Sequence, residues 1–247
     1  MEQELIRCSG LSKSFAGKPV LGDISVTLNE SEFVSVLGPG KCGKTTLIKL
    51  LSGLEMPDTG EVLMRGEKVT APSPERGVVY QNTMLFNWLS VLGNVRYPIK
   101  KLGRQESLAR AKKYIDLMGL SGFEKAYPSQ LSGGMKQRCG IARIYAMRPQ
   151  IIFMDEPFSQ LDAQTRYLMQ LELEKIYLGE GQTVLFVSNN IEEAVYLSDR
   201  ILVMSAQPSH IIREFRVSLP RPRDYMSTEF VALRAEIESC LSEAENE

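Results

Sequence analysis

The chain has 247 residues, 43% of them hydrophobic and 24% charged, with a net charge of −1. That suits one α/β domain with a small appendage and a real core, and it lacks the basic footprint of a nucleic-acid binder. No run approaches the roughly 18 apolar residues of a membrane span, and the start MEQELIRC has no apolar leader core, so no signal peptide is expected and any membrane role runs through a partner.

In chain order, LIRCSGLSKSF and PVLGDISVTL read as two early strands with turns. FVSVLG (33–38) is a compact apolar strand ending at Gly38, and KTTLIKLLSG (44–53) places Leu47, Leu50 and Leu51 on one helical face before Gly53. GEVLM and GVVYQ are short strands. Residues 104–119 form a helix with Leu108, Ala111, Ile115 and Met118 at helical spacing. Then helices at 134–148, 163–178 and 190–197 alternate with strands IIFMD, TVLFV and RILVMS. That alternation predicts a largely parallel sheet. LPRPRD (219–224) breaks the pattern, and a last amphipathic helix follows, with Phe230, Leu233, Ile237 and Leu241 on one stripe. Its acidic polar face marks a docking helix rather than a membrane anchor. Cys8, Cys42, Cys139 and Cys240 are scattered without a CxxC pair, so reduced thiols are expected.

Three segments carry chemistry. GPGKCGKT (38–45) fits G-x-x-x-x-G-K-[ST] between an apolar strand and a helix. Glycines let backbone N–H groups turn onto phosphate oxygens, and the helix N-terminus adds positive potential. Lys44 reaches the β/γ-phosphates, and the Thr45 hydroxyl suits Mg²⁺. IIFMDEP (151–157) ends a buried strand in Asp155 and Glu156. Acids there are costly unless they bind something. Asp155 suits Mg²⁺ and Glu156 suits a base polarising an attacking water, although strand-end acids also cap helices. In LSGGMKQR (131–138), Ser132 is a natural N-cap, and the N–H groups of Gly133 and Gly134 make a second anion site. One nucleotide does not need two such sites on one chain, so the second serves a nucleotide held by another copy.

These segments, with Gln81 in VVYQN, SQLD (159–162) and SNN (188–190), resemble the ATP-binding subunits of ABC transporters, in the family's order along nearly the whole chain. The resemblance implies an α/β P-loop NTPase fold of the ABC type. A nucleotide-binding domain would span 1–217, with a helical subdomain at about 82–148 and a C-terminal extension at 218–247. It implies ATP and Mg²⁺, and a head-to-tail homo- or heterodimer with each ATP between one chain's Gly38, Pro39, Gly40, Lys41, Cys42, Gly43, Lys44, Thr45 and Thr46 and the other's Ser132, Gly133 and Gly134. Thr45, Gln81 and Asp155 would hold Mg²⁺. Glu156 would be the base, and Gln81 would couple the γ-phosphate to a membrane permease gripped by the helical subdomain. Asp162 would communicate across the dimer, and Phe15 would stack on adenine, although a phenylalanine before a turn also serves as core. The chain would sit peripherally on the cytoplasmic face of the membrane. A solute-binding protein would be an indirect partner, and no nucleic acid is expected.

YQNTMLFNWLSVLGNV (80–95), IEEAVYLSDRILVMS (191–205) and SLPRPRDYMSTEF (218–230) are similar to importers of the nitrate, sulfonate and taurine group. The expected function is therefore ATP-driven import of a small solute of that kind.

Three positions depart from the family pattern. Asn189 stands where a histidine is usual; an amide donates a hydrogen bond but carries no positive charge and shuttles no proton. Losing such a group costs about 10²–10⁴ in rate. His210 lies beyond the next strand and cannot substitute. In the phosphate loop a glycine has moved to Gly40, leaving Lys41 where glycine is usual. Lys41 either bears strain, if that position needs φ > 0, or adds attraction to phosphate. Gln160 replaces a small residue. These departures support an alternative: a degenerate, slow or non-hydrolysing ATP-gated module paired with another ATPase subunit.

Overall fold

Two alternating runs open the chain and pair with each other. β1 (Glu4–Phe15) and β2 (Lys18–Asn29) are antiparallel and turn through Ala16 (φ 49°) and Gly17 (φ 77°), two left-handed residues whose twist suits a tight hairpin. The computed structural model describes residues 3–244. The chain divides into two compact units, Met1–Ser73 with Thr183–Glu247, and Pro74–Gln182.

The first unit holds two sheets. β1 lies between β2 and β4 (Thr59–Met64), and β5 (Glu67–Lys68) pairs with β4, all antiparallel. In the other sheet, β3 (Phe33–Leu37) lies between β8 (Thr183–Val187) and β9 (Arg200–Met204), parallel to both, and β10 (Ile211–Arg216) adds antiparallel to β9. β3 and β8 are buried at all five positions, which explains their uninterrupted apolar wording. The parallel pairing expected from strand–helix alternation is present here; β5 and β10 were not foreseen. After β3 comes α1 (Lys44–Ser52), which buries Leu47, Ile48, Leu50 and Leu51, each contributing about 1.5–3 kcal/mol.

The expected C-terminal helix is α7 (Thr228–Ala244), packed on β9 and on α6 (Ile191–Leu197). Its buried stripe is Phe230, Ile237, Cys240 and Ala244; Leu233 and Leu241 are only half-buried, so the face is rotated from the one the leucines suggested. LPRPRD supplies a clamp. The Arg223 guanidinium is buried and donates to the Val195 and Tyr196 carbonyls at the end of α6 (2.7 and 2.9 Å), where the helix leaves acceptors unpaired.

In the second unit, β6 (Arg76–Val79) and β7 (Ile151–Asp155) pair in parallel. They are accompanied by α2 (Val91–Arg96), a 3₁₀ turn (Tyr97–Leu102), α3 (Arg104–Leu117), α4 (Gly133–Met147) and α5 (Ala163–Glu180). Asn94 is fully buried. Its amide donates to the carbonyls of Phe86, Leu89 and Ser90 and accepts from the Phe86 N–H, which fixes the turn ahead of α2. All four cysteines are free and buried.

Candidate functional site

The phosphate-loop segment grows from the buried end of β3. A side chain at Gly38 would sit 2.9 Å from Cys42 Sγ and 3.0 Å from the Met204 carbonyl, so only glycine fits. Gly43, at φ 118° just before α1, backs onto β2, where a Cβ would meet Leu21 at 2.7 Å. Gly40 has open space around it and no positive φ, whereas Lys41 adopts φ 64°. The left-handed position therefore carries the lysine, and the strain considered above is present, of order 1 kcal/mol. The Lys44 ammonium is buried against the loop and donates to the Gly38 and Pro39 carbonyls at 2.7 and 2.9 Å. Thr45 is exposed in the first turn of α1, where backbone N–H groups have no partner within the helix.

Two contacts on this loop had no sequence signal beyond the turn-like wording SAQPSH. Gln207 Nε2 donates to the Lys41 carbonyl at 2.6 Å, and Ser209 Oγ lies 2.5 Å from the Cys42 carbonyl.

The same unit carries Phe15 and Asn189. Phe15 ends β1 with its ring 43% exposed and the Lys13 ammonium 5.4 Å from the ring centroid. That ammonium also pairs with Glu55 and Asp58 at 3.0 and 3.2 Å, which raises the Lys13 pKa above its usual range, Glu55 foremost. The two amides of SNN have different tasks. Asn190 caps α6, its Oδ1 accepting from the Glu193 N–H at 3.1 Å. Ser188 donates to the Glu193 carboxylate at 2.6 Å and accepts from the Asn190 N–H. Asn189, between them, is the exposed one. His210 lies between β9 and β10 with Nδ1 3.0 Å from Ser205 Oγ, as its position in the sequence required.

In the second unit, β7 delivers Asp155 buried at its end. Tyr80 follows β6; its phenol pKa is raised, by burial first and by the Asp155 charge second. Glu156 adopts φ 44° ahead of Pro157, a strained backbone at the residue proposed to act. A chain of bonds supports it. Gln81 Nε2 donates to Ser159 Oγ (3.1 Å), and the Ser159 hydroxyl and N–H both donate to the Glu156 carbonyl (2.9 and 3.2 Å). Gln160 has a defined partner: its amide donates to Asn82 Oδ1 at 2.8 Å, a second bridge between the strand-end turns after β6 and β7.

Ser132 caps α4, accepting from the Met135 N–H at 3.3 Å, with Gly133 exposed beside it. Gly134 lies against the next helix start: a Cβ there would be 3.0 Å from the Thr165 methyl. Asp162 caps α5, accepting from the Thr165 N–H (2.9 Å) and hydroxyl (2.7 Å), and the N–H bond above all holds its pKa below the usual carboxylate range. Along α4, Gln137 donates to the Tyr80 carbonyl and accepts from the Thr83 hydroxyl, so the helix carrying the signature grips the segment around Gln81.

A glycine-rich loop before a helix with a buried lysine, and an acid-bearing strand end bonded to a glutamine, each have the form found in a P-loop ATPase of the cassette kind. Comparison with known proteins supplies the family. The family model described as "ABC transporter" matches residues 21–159. The chain is 47% identical over 225 residues to an uncharacterised ABC transporter ATP-binding protein of Methanocaldococcus jannaschii, covering 90% of this chain and 84% of the relative. It is 38% identical over 236 residues to the aliphatic sulfonates import ATP-binding protein SsuB of Bacillus cereus, covering 94% of each. Among solved structures, the dimeric MJ0796 bacterial ABC transporter cassette superposes with a TM-score of 0.77 at 29% identity, covering 86% of this chain and 99% of that one. A post-hydrolysis state of the same cassette, bound to ADP and Pi, gives 0.76 at 27% identity, with the same coverage. The chain belongs to the ABC transporter ATPase family and is the ATP-binding subunit of a transporter.

Proposed function

We propose that this subunit hydrolyses Mg-ATP in a head-to-tail dimer and so powers import of a small sulfonate- or nitrate-like anion through a membrane permease. The observation that carries the reading is the bonded chain Gln81–Ser159–Glu156, because it ties a phosphate-sensing amide to the turn of the hydrolytic base. Gln81 also stands seven residues before the exposed Trp88. Met84 and Trp88 are each 72% exposed, and Phe86 packs against Trp88 and Tyr97 at 5.3 and 4.7 Å between ring centroids. Residues 82–148 form the helical subdomain in this reading, and that aromatic surface is where the permease seats.

Lys44 and the loop from Gly38 to Thr46 hold the phosphates, and Phe15 stacks on the base. Glu156 takes the proton of the attacking water, and Asn189 donates to the γ-phosphate. Thr45, Asp155 and Gln81 each offer an oxygen of the kind Mg²⁺ takes and would hold the ion, which would supply charge neutralisation for the phosphates. Among the described residues no cluster of three or more His, Cys, Asp or Glu offers a protein-only metal cage. Ser132, Gly133 and Gly134 complete the site of a second copy or of a related subunit, and Asp162 lies at that junction. In this reading the permease sets the chain on the cytoplasmic face; no described helix is long and apolar enough to cross a membrane. The sulfonate class rests on the similarity to SsuB, and a solute-binding protein completes the assembly.

The degenerate reading is not the better one: Lys44, Asp155, Glu156 and Gln81 are all present, and Asn189 alters a single contributor. The test is uptake. Cells carrying the chain with its permease should accumulate an aliphatic sulfonate, and the Glu156→Gln variant should not. Equal uptake with both would sink the reading.

A further inference from the structure

The turn joining β9 to β10, residues 205–210, carries none of the residues assigned to nucleotide handling, yet it touches the phosphate loop twice. It is anchored on the frame behind it. The Ser209 N–H donates to the Val20 carbonyl, and the Gly22 N–H donates to the Ser209 carbonyl, both at 2.9 Å, tying the turn to β2. The Ala206 N–H donates to the Ala244 carbonyl at 3.2 Å, tying it to the last turn of α7. Ser209 is fully buried. Its hydroxyl lies 2.5 Å from the Cys42 carbonyl and 2.8 Å from that of Ser205, and with one proton it serves one acceptor at a time. From this anchored turn Gln207 reaches outward, and its amide donates to the Lys41 carbonyl at 2.6 Å.

The residue it holds, Lys41, is one of the three that depart from the family pattern. A glycine at position 41 would adopt φ > 0 unaided; a lysine at φ 64° persists only where its surroundings over-determine it. The donor is an uncharged amide on an exposed side chain, so it secures the carbonyl without adding charge beside the phosphates.

We propose that Gln207 is a positioning residue for nucleotide binding, fixing Lys41 in its left-handed conformation so that the phosphate loop is set before ATP arrives. The proposal rests on the reading of residues 38–46 as the phosphate loop. Because Gln207 compensates for the residue type at 41, its contribution depends on that residue.

The test is a double-mutant cycle with Gln207→Ala, Lys41→Gly and the pair, in the full chain. Two readouts serve: hydrogen exchange of the 38–46 peptide without nucleotide, and affinity for a fluorescent mant-ATP probe. With Lys41 present, Gln207→Ala should speed exchange in the loop and weaken mant-ATP about three- to tenfold, the range spanned by loss of one hydrogen bond. With Gly at 41, the same change should cost less than about twofold. Equal losses in both backgrounds, or no loss in either, would overturn the proposal. Lys44→Ala, measured alongside, reports on the underlying reading. If it binds mant-ATP as tightly as the native chain, the phosphate-loop assignment falls and the proposal with it. If it loses binding while the Gln207 arm stays flat, only the proposal falls.

Discussion

Lys41 and Glu156 share a backbone fault: each is a non-glycine residue in left-handed conformation, at φ 64° and φ 44°. Each has its carbonyl held by donors from elsewhere, Gln207 Nε2 in one case, the Ser159 hydroxyl and N–H in the other. The difference lies in what the side chain is for. At 156 the carboxylate must stand directly after a buried strand, so no residue that relaxes the backbone can replace it. At 41 the side chain is exposed, and glycine would satisfy the backbone at once. On the proposed function, strain at 156 belongs to the chemistry, whereas strain at 41 is tolerated by its supports.

The largest expected effect breaks the chemistry and leaves the strain. Glu156→Gln preserves shape and removes the base, so kcat in a steady-state ATPase assay should fall about 10²–10⁴-fold while mant-ATP affinity holds. Retention of kcat within threefold would remove Glu156 from its role. Next in size, Asn189→His restores a charged, proton-carrying group at an exposed position and should raise kcat about tenfold or more, read in the same assay. No gain would mean that Asn189 already does what this site requires. Smaller again is Ser159→Ala, which cuts both the Gln81 link and one support of Glu156. It should lower kcat about three- to tenfold with KM for ATP little changed. A KM effect without a kcat effect would place Ser159 in binding instead.

Much of this comparison was readable from the sequence, and the remainder fails for identifiable reasons. The buried strands announced themselves as unbroken apolar runs ending in Gly38 and Asp155, and the cap expected at Ser132 forms; the caps Asp162 and Asn190 went unread, the first taken as a dimer contact and the second placed inside the helix. The resemblance to the family suggested that Lys41 occupies a glycine's place, but only the backbone shows that Gly40 is not the left-handed residue. Gln160 looked like a departure because a small residue is usual there in the family; its partner, Asn82, is 78 positions away, and local patterns say nothing about such pairs. Gln207 and Ser209 were invisible for the same reason, lying 166 and 167 positions from the carbonyls they meet. The α7 stripe was misplaced because Cys240 and Ala244 are small enough to bury where the leucines drew attention.

The smallest effect separates the two readings of Lys41 that its position left open. Lys41→Gly relieves about 1 kcal/mol of strain but gives back about 0.5–1 kcal/mol through the freer unfolded chain, so Tm should move by less than about 2–4 °C. Lys41→Gln keeps a side chain at φ > 0 and removes only the charge. If the ammonium attracts phosphate, mant-ATP affinity of this variant should fall about two- to fivefold at low ionic strength. The loss should shrink toward nothing at about 1 M salt, where the screening length is about 3 Å. A variant that binds as tightly as the native chain at low salt would leave Lys41 with strain and no compensating attraction, and the asymmetry with Glu156 would then be complete.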